Sequence, residues 1–194
     1  MLYTTQMLLE KYHDYQDPFG KIKRLCSEGK LYPVTKGLYE TDGNLDGELM
    51  SAAIYGPSYL SFNYALAYYE LIPEGVREYT SATCGKGKKK RYHNCFGEYS
   101  YRDVPVEVFP YETRLIEENG YVYYIATPEK ALCDKLYELP ALKNLKELRE
   151  LLFENLRIDE EELSGLDFHT IGELSMLYHS NNVRFLSSYL RRCI

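Results

Sequence analysis

Residues 121–137 read YVYYIATPEKALCDKLY, and the hydrophobic pattern changes its period within this stretch. Residues 121–125 alternate as a strand does, whereas the apolar side chains after Pro128 recur at helical spacing. Thr127 can cap that helix by accepting from a free N–H group, and Pro128 suits its first turn. The stretch therefore predicts a strand that passes directly into a helix, within an α+β fold. Lys130 and Asp134 are four residues apart, which predicts a surface ion pair on the helix.

Alternation of apolar and polar residues continues upstream of this joint. It covers residues 76–83, 99–102 and 104–109, and it predicts an antiparallel sheet. Helical spacing elsewhere predicts flanking helices and a C-terminal helical tail, at residues 48–55, 61–71, 142–156, 168–178 and 183–192.

The N-terminal residues carry the start and stop signals of two helices. Thr4 or Thr5 can cap the first helix. Asp17 can accept from free N–H groups, and Pro18 fits the first helical position of the second helix. Gly29 is placed to end the second helix in a left-handed conformation.

Two short extended runs follow the second helix, at residues 31–39, around a turn. Two helices followed by such a wing are typical of a winged helix-turn-helix, so we predict a small DNA-binding head. The turn-rich residues 41–46 provide the boundary. We predict a head at residues 1–42 and a second domain at 43–194, with a mixed sheet reaching to about residue 139 and a helical tail at 140–194.

Composition restricts how the chain could bind nucleic acid. The 194 residues carry a net charge of −6, so any contact with nucleic acid must come from a local basic patch. The five cysteines are odd in number and irregularly spaced, which favours free thiols. No apolar run reaches the ~18 residues that a membrane span requires. We therefore expect a cytoplasmic protein.

Basic residues cluster on the second predicted helix and in the wing. A recognition helix needs an apolar face that packs and a basic or polar face for phosphates and base edges. Phe19, Ile22 and Leu25 are predicted to form the apolar face. An ordinary solvated basic face is the alternative. The candidate DNA-contacting residues are Lys21, Lys23, Arg24, Lys30, Thr35 and Lys36.

A second cluster of cations, the basic segment, lies at residues 84–91 and is predicted to be a hairpin turn between two strands. Such a turn could contact phosphates or an acidic partner protein. It could also be a solvated turn whose charges prevent edge-to-edge pairing of strands. Its candidate residues are Lys86, Lys88, Lys89, Lys90 and Arg91.

Residues with metal or catalytic potential are few. Cys84, His93 and Cys95 lack the paired Cys-x-x-Cys spacing of a zinc site, so we predict no metal and no cofactor. The Glu-x-Lys of a metal-dependent nuclease occurs at Glu28 and Lys30, where a helix is expected to end. We predict no catalytic residues and a non-enzymatic protein.

Four short motifs follow one another between residues 28 and 134. They are EGKLYPVTKGLY at 28–39, GPSYLSFNYAL at 56–66, FGEYSY at 96–101 and IATPEKALCD at 125–134. The basic segment lies between the second and third motifs. In this order the motifs resemble the AbiEi family of bacterial antitoxins and transcriptional regulators.

This resemblance implies a type IV toxin–antitoxin system, a form of abortive-infection phage defence. The head would repress its own operon by binding operator DNA, as a homodimer or as paired monomers. The second domain would counteract a nucleotidyltransferase-like toxin encoded nearby. Family heads typically have three helices before the wing and two are predicted here, so the head is expected to be shortened. Two alternatives remain, a protein-binding module whose head no longer binds DNA and a metal-dependent nuclease.

Overall fold

Two β-sheets organise the chain in the computed structural model, which describes residues 1–193 as an α+β protein. The smaller sheet is antiparallel with strand order β1-β3-β2, and two helices connect its first two strands. Its elements are β1 (Leu2–Thr4), α1 (Thr5–Lys11), α2 (Pro18–Ser27), β2 (Tyr32–Thr35) and β3 (Leu38–Glu40).

The predicted start of α1 and both predicted ends of α2 are confirmed. The Thr4 side chain accepts from the Met7 N–H at 3.2 Å, and Asp17 accepts from the Gly20 N–H at 2.9 Å. Gly29 has φ +65°, the left-handed conformation expected after α2. A small cluster of buried side chains joins the two helices to the wing: Leu8, Ile22, Leu25 and Leu31.

The larger sheet has six strands in the order β6-β7-β5-β4-β9-β8. A 3-10 turn at Gly47–Met50 precedes its first strand, and α6 continues as a π-helix over Glu150–Asn155. The other elements are α3 (Ser51–Ile54), β4 (Tyr59–Leu60), α4 (Phe62–Tyr68), β5 (Glu78–Thr83), β6 (Lys90–Asn94), β7 (Gly97–Asp103), β8 (Thr113–Glu118), β9 (Tyr121–Ala126), α5 (Pro128–Glu138), α6 (Leu145–Arg149), α7 (Glu160–Ser164), α8 (Phe168–Tyr178) and α9 (Asn181–Cys193).

The prediction of an antiparallel sheet is confirmed only in part, because the six-stranded sheet is mixed. β5 pairs in parallel with β7, and β4 pairs in parallel with β9. β6 folds back on β7 as a hairpin, so β7 lies between β6 and β5 and runs in the direction of β5. Side-chain alternation records which residues share a face and carries no information on strand direction.

Residues 104–109, predicted as a strand, form a turn. The N–H groups of Val108 and Phe109 both donate to the Pro105 carbonyl oxygen at 3.2 Å. Pro105 itself has no N–H to give to a ladder, which disfavours a central strand. The strand of this region is β8, which begins a few residues later.

Tyrosines build one face of the large sheet. Tyr99 donates to the Gly47 carbonyl oxygen at 3.0 Å, and Tyr101 donates to that of Ser51 at 2.7 Å. Arg102 points to the opposite face and pairs with Glu138 of α5. The sheet therefore lies between the segment containing α3 and the layer containing α5.

The C-terminal helices pack onto α5. Asn182 in α9 donates to the Leu136 carbonyl oxygen at 2.9 Å and accepts from the Leu142 N–H at 2.8 Å. The predicted helix at 168–178 is confirmed with the same bounds. Within residues 1–193, no helix is both long and apolar enough to cross a membrane.

Candidate nucleic-acid interface

Helix α2 presents a buried face and a cationic face. Ile22 and Leu25 are buried in the small core, whereas Lys23 and Arg24 are exposed. Phe19 was predicted to pack with the apolar face, but it is 58% exposed and lies one helical turn before Lys23. The exposed face of α2 therefore combines an aromatic ring with two cations.

Lys21 is held close to the protein. Its ammonium lies 4.8 Å from the centre of the Tyr15 ring and 6.0 Å from that of Tyr12. A cation over an aromatic face is attracted by the negative face of the ring. Lys21 is consequently half-buried and less free to reach a phosphate than Lys23.

Glu28 lies among the basic residues of the head. Lys30 donates to its carboxylate at 2.8 Å, and the Arg24 guanidinium lies 3.7 Å from it. The hydrogen bond from Lys30 is the main reason that the pKa of Glu28 is lowered. Within residues 1–193, Lys23 and Lys36 form no ion pair and lie over no aromatic ring, whereas Lys11 and Lys21 lie over tyrosine rings, so Lys23 and Lys36 are the least compensated cations of the head.

The wing presents Lys36 at its tip. Thr35 ends β2 and is half-buried, and Lys36 lies in the turn before β3. Gly37 has φ +79° and its carbonyl oxygen accepts from the Thr5 N–H at 2.9 Å, which ties the tip to the start of α1. The position of Lys36 is thus fixed relative to the first helix.

The basic segment is not a hairpin turn, because β5 and β6 are not neighbours in the sheet. The strand between them is β7, so residues 84–89 cross over its C-terminal end. Gly85 and Gly87 both have φ near +65°, a conformation that other residues adopt at a cost. The hairpin of this region is instead the tight turn between β6 and β7.

Asp103 at the end of β7 holds the basic segment in place. Its Oδ2 atom accepts from the backbone N–H groups of Lys86 at 2.7 Å and Gly87 at 2.6 Å. Its Oδ1 atom accepts from the Thr83 hydroxyl at 2.6 Å. The crossing is therefore an ordered structure, and its cations project from a defined backbone.

Three of the five cations in the basic segment have partners. Lys86 donates to the Gly56 carbonyl oxygen at 3.1 Å, and Lys89 lies 3.7 Å from Glu138. Arg91 lies 3.7 Å from Glu78. Among residues 1–193, no ion pair is formed by the other two cations, Lys88 and Lys90.

Strand β6 connects the basic segment to the wing. Lys90 begins this strand, and Asn94 ends it by donating to the Val34 carbonyl oxygen at 2.8 Å. Four residues of strand span about 13 Å. Lys90 therefore lies about 13 Å from the contact with the wing, along the edge strand of the large sheet.

Cys84, His93 and Cys95, whose side chains could each bind a metal, lie in three different parts of the fold. Cys84 follows β5, His93 lies on β6 with 77% of its side chain exposed, and Cys95 is in the β6–β7 turn. Among residues 1–193, no group of three His, Cys, Asp or Glu side chains is arranged to hold a metal ion.

Lys130 and Asp134 form a buried pair, so the predicted surface ion pair is wrong. Both side chains are fully buried, and Lys130 Nζ lies 3.8 Å from Asp134 Oδ1. Lys130 donates to the Val108 carbonyl oxygen at 2.7 Å. Asp134 accepts from three hydroxyl groups, those of Ser61 at 2.6 Å, Tyr59 at 3.0 Å and Tyr178.

This buried charged cluster has a structural role. Burial raises the pKa of Asp134 and lowers that of Lys130, while their mutual attraction opposes both shifts. The Asp134 carboxylate has three O–H donors, which offset the loss of water. Neither side chain reaches solvent, so the pair has no access to a substrate. It joins β4, α5 and α8 through side chains far apart in sequence.

Comparison with known proteins identified no relative of this chain. No protein-family model matches the chain, and no curated protein matches it at a significant level.

Proposed function

We propose that this protein is a non-enzymatic, DNA-binding autorepressor and antitoxin of the AbiEi type. It would bind operator DNA through residues 1–42 and counteract a nucleotidyltransferase-like toxin encoded nearby. The observation that carries the DNA-binding half is the exposed face of α2, where Phe19, Lys23 and Arg24 lie together and the wing places Lys36 beside the same helix pair.

The topology of the head supports this proposal. Two helices lie between β1 and β2, and the strand order β1-β3-β2 is that of a winged helix-turn-helix. In such domains the second helix of the pair enters the major groove with its N-terminal residues toward base edges. Phe19 lies in the first turn of α2, the part that reaches the groove in this arrangement, and Lys23 follows one helical turn later.

The basic segment supports a second contact with the same duplex. Lys88 and Lys90 have no acidic partner within the described residues, and β6 leads from them to the wing. Each phosphate that a lysine neutralises releases counterions, which favours binding at low salt. With a net charge of −6 on the whole chain, such contacts must be confined to this edge.

The antitoxin half of the proposal is supported by the ordered motifs alone. Those at 56–66 and 125–134 contribute Tyr59, Ser61, Lys130 and Asp134 to the buried charged cluster, so their side chains stabilise the fold. We propose that the domain they hold together counteracts the toxin without catalysis.

Fluorescence anisotropy with the duplex upstream of the gene tests the DNA-binding half. We expect saturable binding that weakens with salt and exceeds binding to a scrambled duplex. Binding that does not discriminate between the duplexes, or no binding, would favour the protein-binding module. Growth rescue on co-expression with the adjacent gene tests the antitoxin half, and rescue should survive changes at Lys23 and Lys36.

A further inference from the structure

Strand β8 forms one edge of the six-stranded sheet. Among the described residues, β9 is the only strand that pairs with it, over Thr113–Glu118 and without a bulge. The outer side of an edge strand presents N–H and C=O groups that can pair with a further strand. Proteins commonly block such an edge with a proline, a lysine or a bulge, and residues 113–118 contain none of these. This edge can therefore accept another strand.

Opposite charges lie on one face of β8. Arg114 and Glu118 are four residues apart, so both side chains lie on the same face of the strand, with Ile116 between them. The Arg114 guanidinium lies 5.9 Å from the centre of the Tyr69 ring. Within residues 1–193, neither Arg114 nor Glu118 forms an ion pair. Each can therefore pair with a charge from outside the chain.

Antiparallel pairing of β8 with a second copy of itself would bring these charges together. With a two-fold axis between the two Ile116 residues, Arg114 of each copy lies opposite Glu118 of the other. Side chains directly opposite each other have Cβ atoms about 4.5–5.5 Å apart, where opposite charges stabilise the pairing and like charges destabilise it. Symmetry repeats the contact, so one register supplies two ion pairs.

The end of β8 at Glu118 lies in an acidic region. Burial raises the pKa of Glu48, the hydrogen bond from Tyr123 lowers it, and the charges of Glu118 and Asp46 raise it further. In the part of the chain that the structure describes, Glu118 and Glu48 form no ion pair. A guanidinium from a second copy, placed opposite Glu118, would supply the positive charge that this region lacks.

The other face of the same edge is apolar and exposed. Leu115, Val122 and Tyr124 are 56%, 52% and 49% exposed, and Leu115 lies opposite Tyr124 in the β8–β9 ladder. In the register with Ile116 on the axis, the two Leu115 side chains become diagonal neighbours at about 7–8 Å, a separation that long side chains can bridge. Self-pairing would thus shield apolar surface on one face while it joins charges on the other.

We infer that β8 is the interface of a symmetric homodimer, in which the two strands pair antiparallel about Ile116 and join both large sheets into one. Arg114 of each copy binds Glu118 of the other. Repressors that read inverted repeats bind as dimers, so this interface would suit the proposed function. The inference does not depend on that function, because the dimer forms without DNA or toxin.

Charge-swap variants of the whole protein test the interface. Sedimentation velocity over a range of concentrations measures the dissociation constant of the dimer. Arg114→Glu places like charges opposite each other at both ends of the interface, and Glu118→Arg does the same with the other sign. Each change alone should raise the dissociation constant about 10- to 100-fold. Arg77→Glu makes the same charge change at an exposed site before β5 and should leave the constant unchanged.

Restoring the opposite charges should restore the dimer. In an equimolar mixture, Arg114→Glu carries two carboxylates on this face and Glu118→Arg carries two guanidinium groups, so the two variants should pair with each other. The double variant with both changes should dimerise as the wild type does. Thermal unfolding checks that each variant folds.

Three results would overturn the inference. The first is a wild type that stays monomeric at every concentration. The second is a single charge swap that leaves the dissociation constant unchanged, or that weakens the dimer no more than Arg77→Glu does. The third is a failure of both the mixture and the double variant to restore dimerisation, since a loss caused by misfolding or by net charge alone would not depend on which charges face each other.

Discussion

Asp103 accepts a hydrogen bond from the backbone N–H of Gly87 at 2.6 Å, across the end of the strand that the basic segment crosses. The same carboxylate oxygen accepts from the Lys86 N–H. An acidic side chain thus fixes the backbone from which the cations project. The order of this segment therefore depends on Asp103 and not on the cationic side chains themselves.

Removing the Asp103 carboxylate should loosen the basic segment. In Asp103→Ala we expect faster hydrogen exchange at the Lys86 and Gly87 amides, because the side-chain acceptor that they share is lost. Asp103→Asn is the matched control, since its amide oxygen can still accept from both N–H groups while its NH₂ faces Thr83. Equal exchange rates in the wild type and the alanine variant would show that the carboxylate does not order the segment.

Phe19 is expected to contribute to sequence recognition. An exposed ring beside Lys23 can contact a thymine methyl group in the major groove. Phe19→Ala should weaken operator binding by about fivefold, roughly 1 kcal/mol, with little change in binding to a scrambled duplex. Phe168→Ala, at a ring 43% exposed on α8, should change neither affinity. A parallel loss on both duplexes would contradict a base contact by Phe19.

The Tyr121 hydroxyl in β9 donates to the Glu40 carboxylate in β3, and the stability that Glu40 contributes should decrease in acid. Burial raises the pKa of Glu40, but hydrogen bonds from the Met1 ammonium, Tyr121 and two backbone N–H groups outweigh it and lower the pKa below 4.5. A lowered pKa means that this stabilisation is present above about pH 4.5 and is lost as pH falls through the folded-state pKa. The Tm difference between wild type and Glu40→Gln should therefore close in acid. A constant difference from about pH 3 to pH 6 would contradict this linkage.

The buried charged cluster should stabilise the larger sheet strongly. Asp134→Asn leaves Lys130 buried without its counterion and should cost about 3–5 kcal/mol of unfolding free energy. Tyr178→Phe removes one hydroxyl donor to a charged acceptor and should cost about 1.5–3 kcal/mol. Tyr137→Phe, on the exposed side of α5, should cost less than about 0.5 kcal/mol. Urea unfolding checks all three, and equal stabilities would refute a structural role for Asp134.

Local signals predicted the local structure well. Thr4 and Asp17 cap their helices by accepting from N–H groups three residues further on, and Gly29 adopts a left-handed conformation after α2. Such signals can be recognised in the sequence because all the residues involved are close neighbours in the chain. β1 and β4, of three and two residues, are too short to show alternation and have no turn signal beside them, whereas the equally short β3 was predicted from the turn that joins it to β2.

The burial of Lys130 and Asp134 could not be predicted from their spacing. A separation of four residues is the same for a surface pair and a buried pair. What decides between them is the approach of Ser61 and Tyr178, both far away in sequence. Phe19 is ambiguous for a similar reason, since it is three residues from Ile22 and four from Lys23, which lie on different faces.

The role of Asp103 was likewise hidden in the sequence. Its partners Lys86 and Gly87 come near only because β7 lies between β5 and β6. Strand order depends on pairing between distant segments, and side-chain alternation does not report it. The cations of the basic segment were visible in the sequence, whereas the carboxylate that orders them was not.

The salt dependence of operator binding tests the central claim, that the free lysines of the head contact DNA phosphates. The affinities of two matched double variants are measured from low to physiological salt. Lys23→Ala/Lys36→Ala removes cations without ion pairs, and Arg24→Ala/Lys30→Ala removes cations that Glu28 already compensates. We predict that the first variant lowers the slope of log K against log salt by about 1.8, or 0.9 for each lost phosphate contact, and the second by clearly less. An unchanged slope in Lys23→Ala/Lys36→Ala would contradict the account.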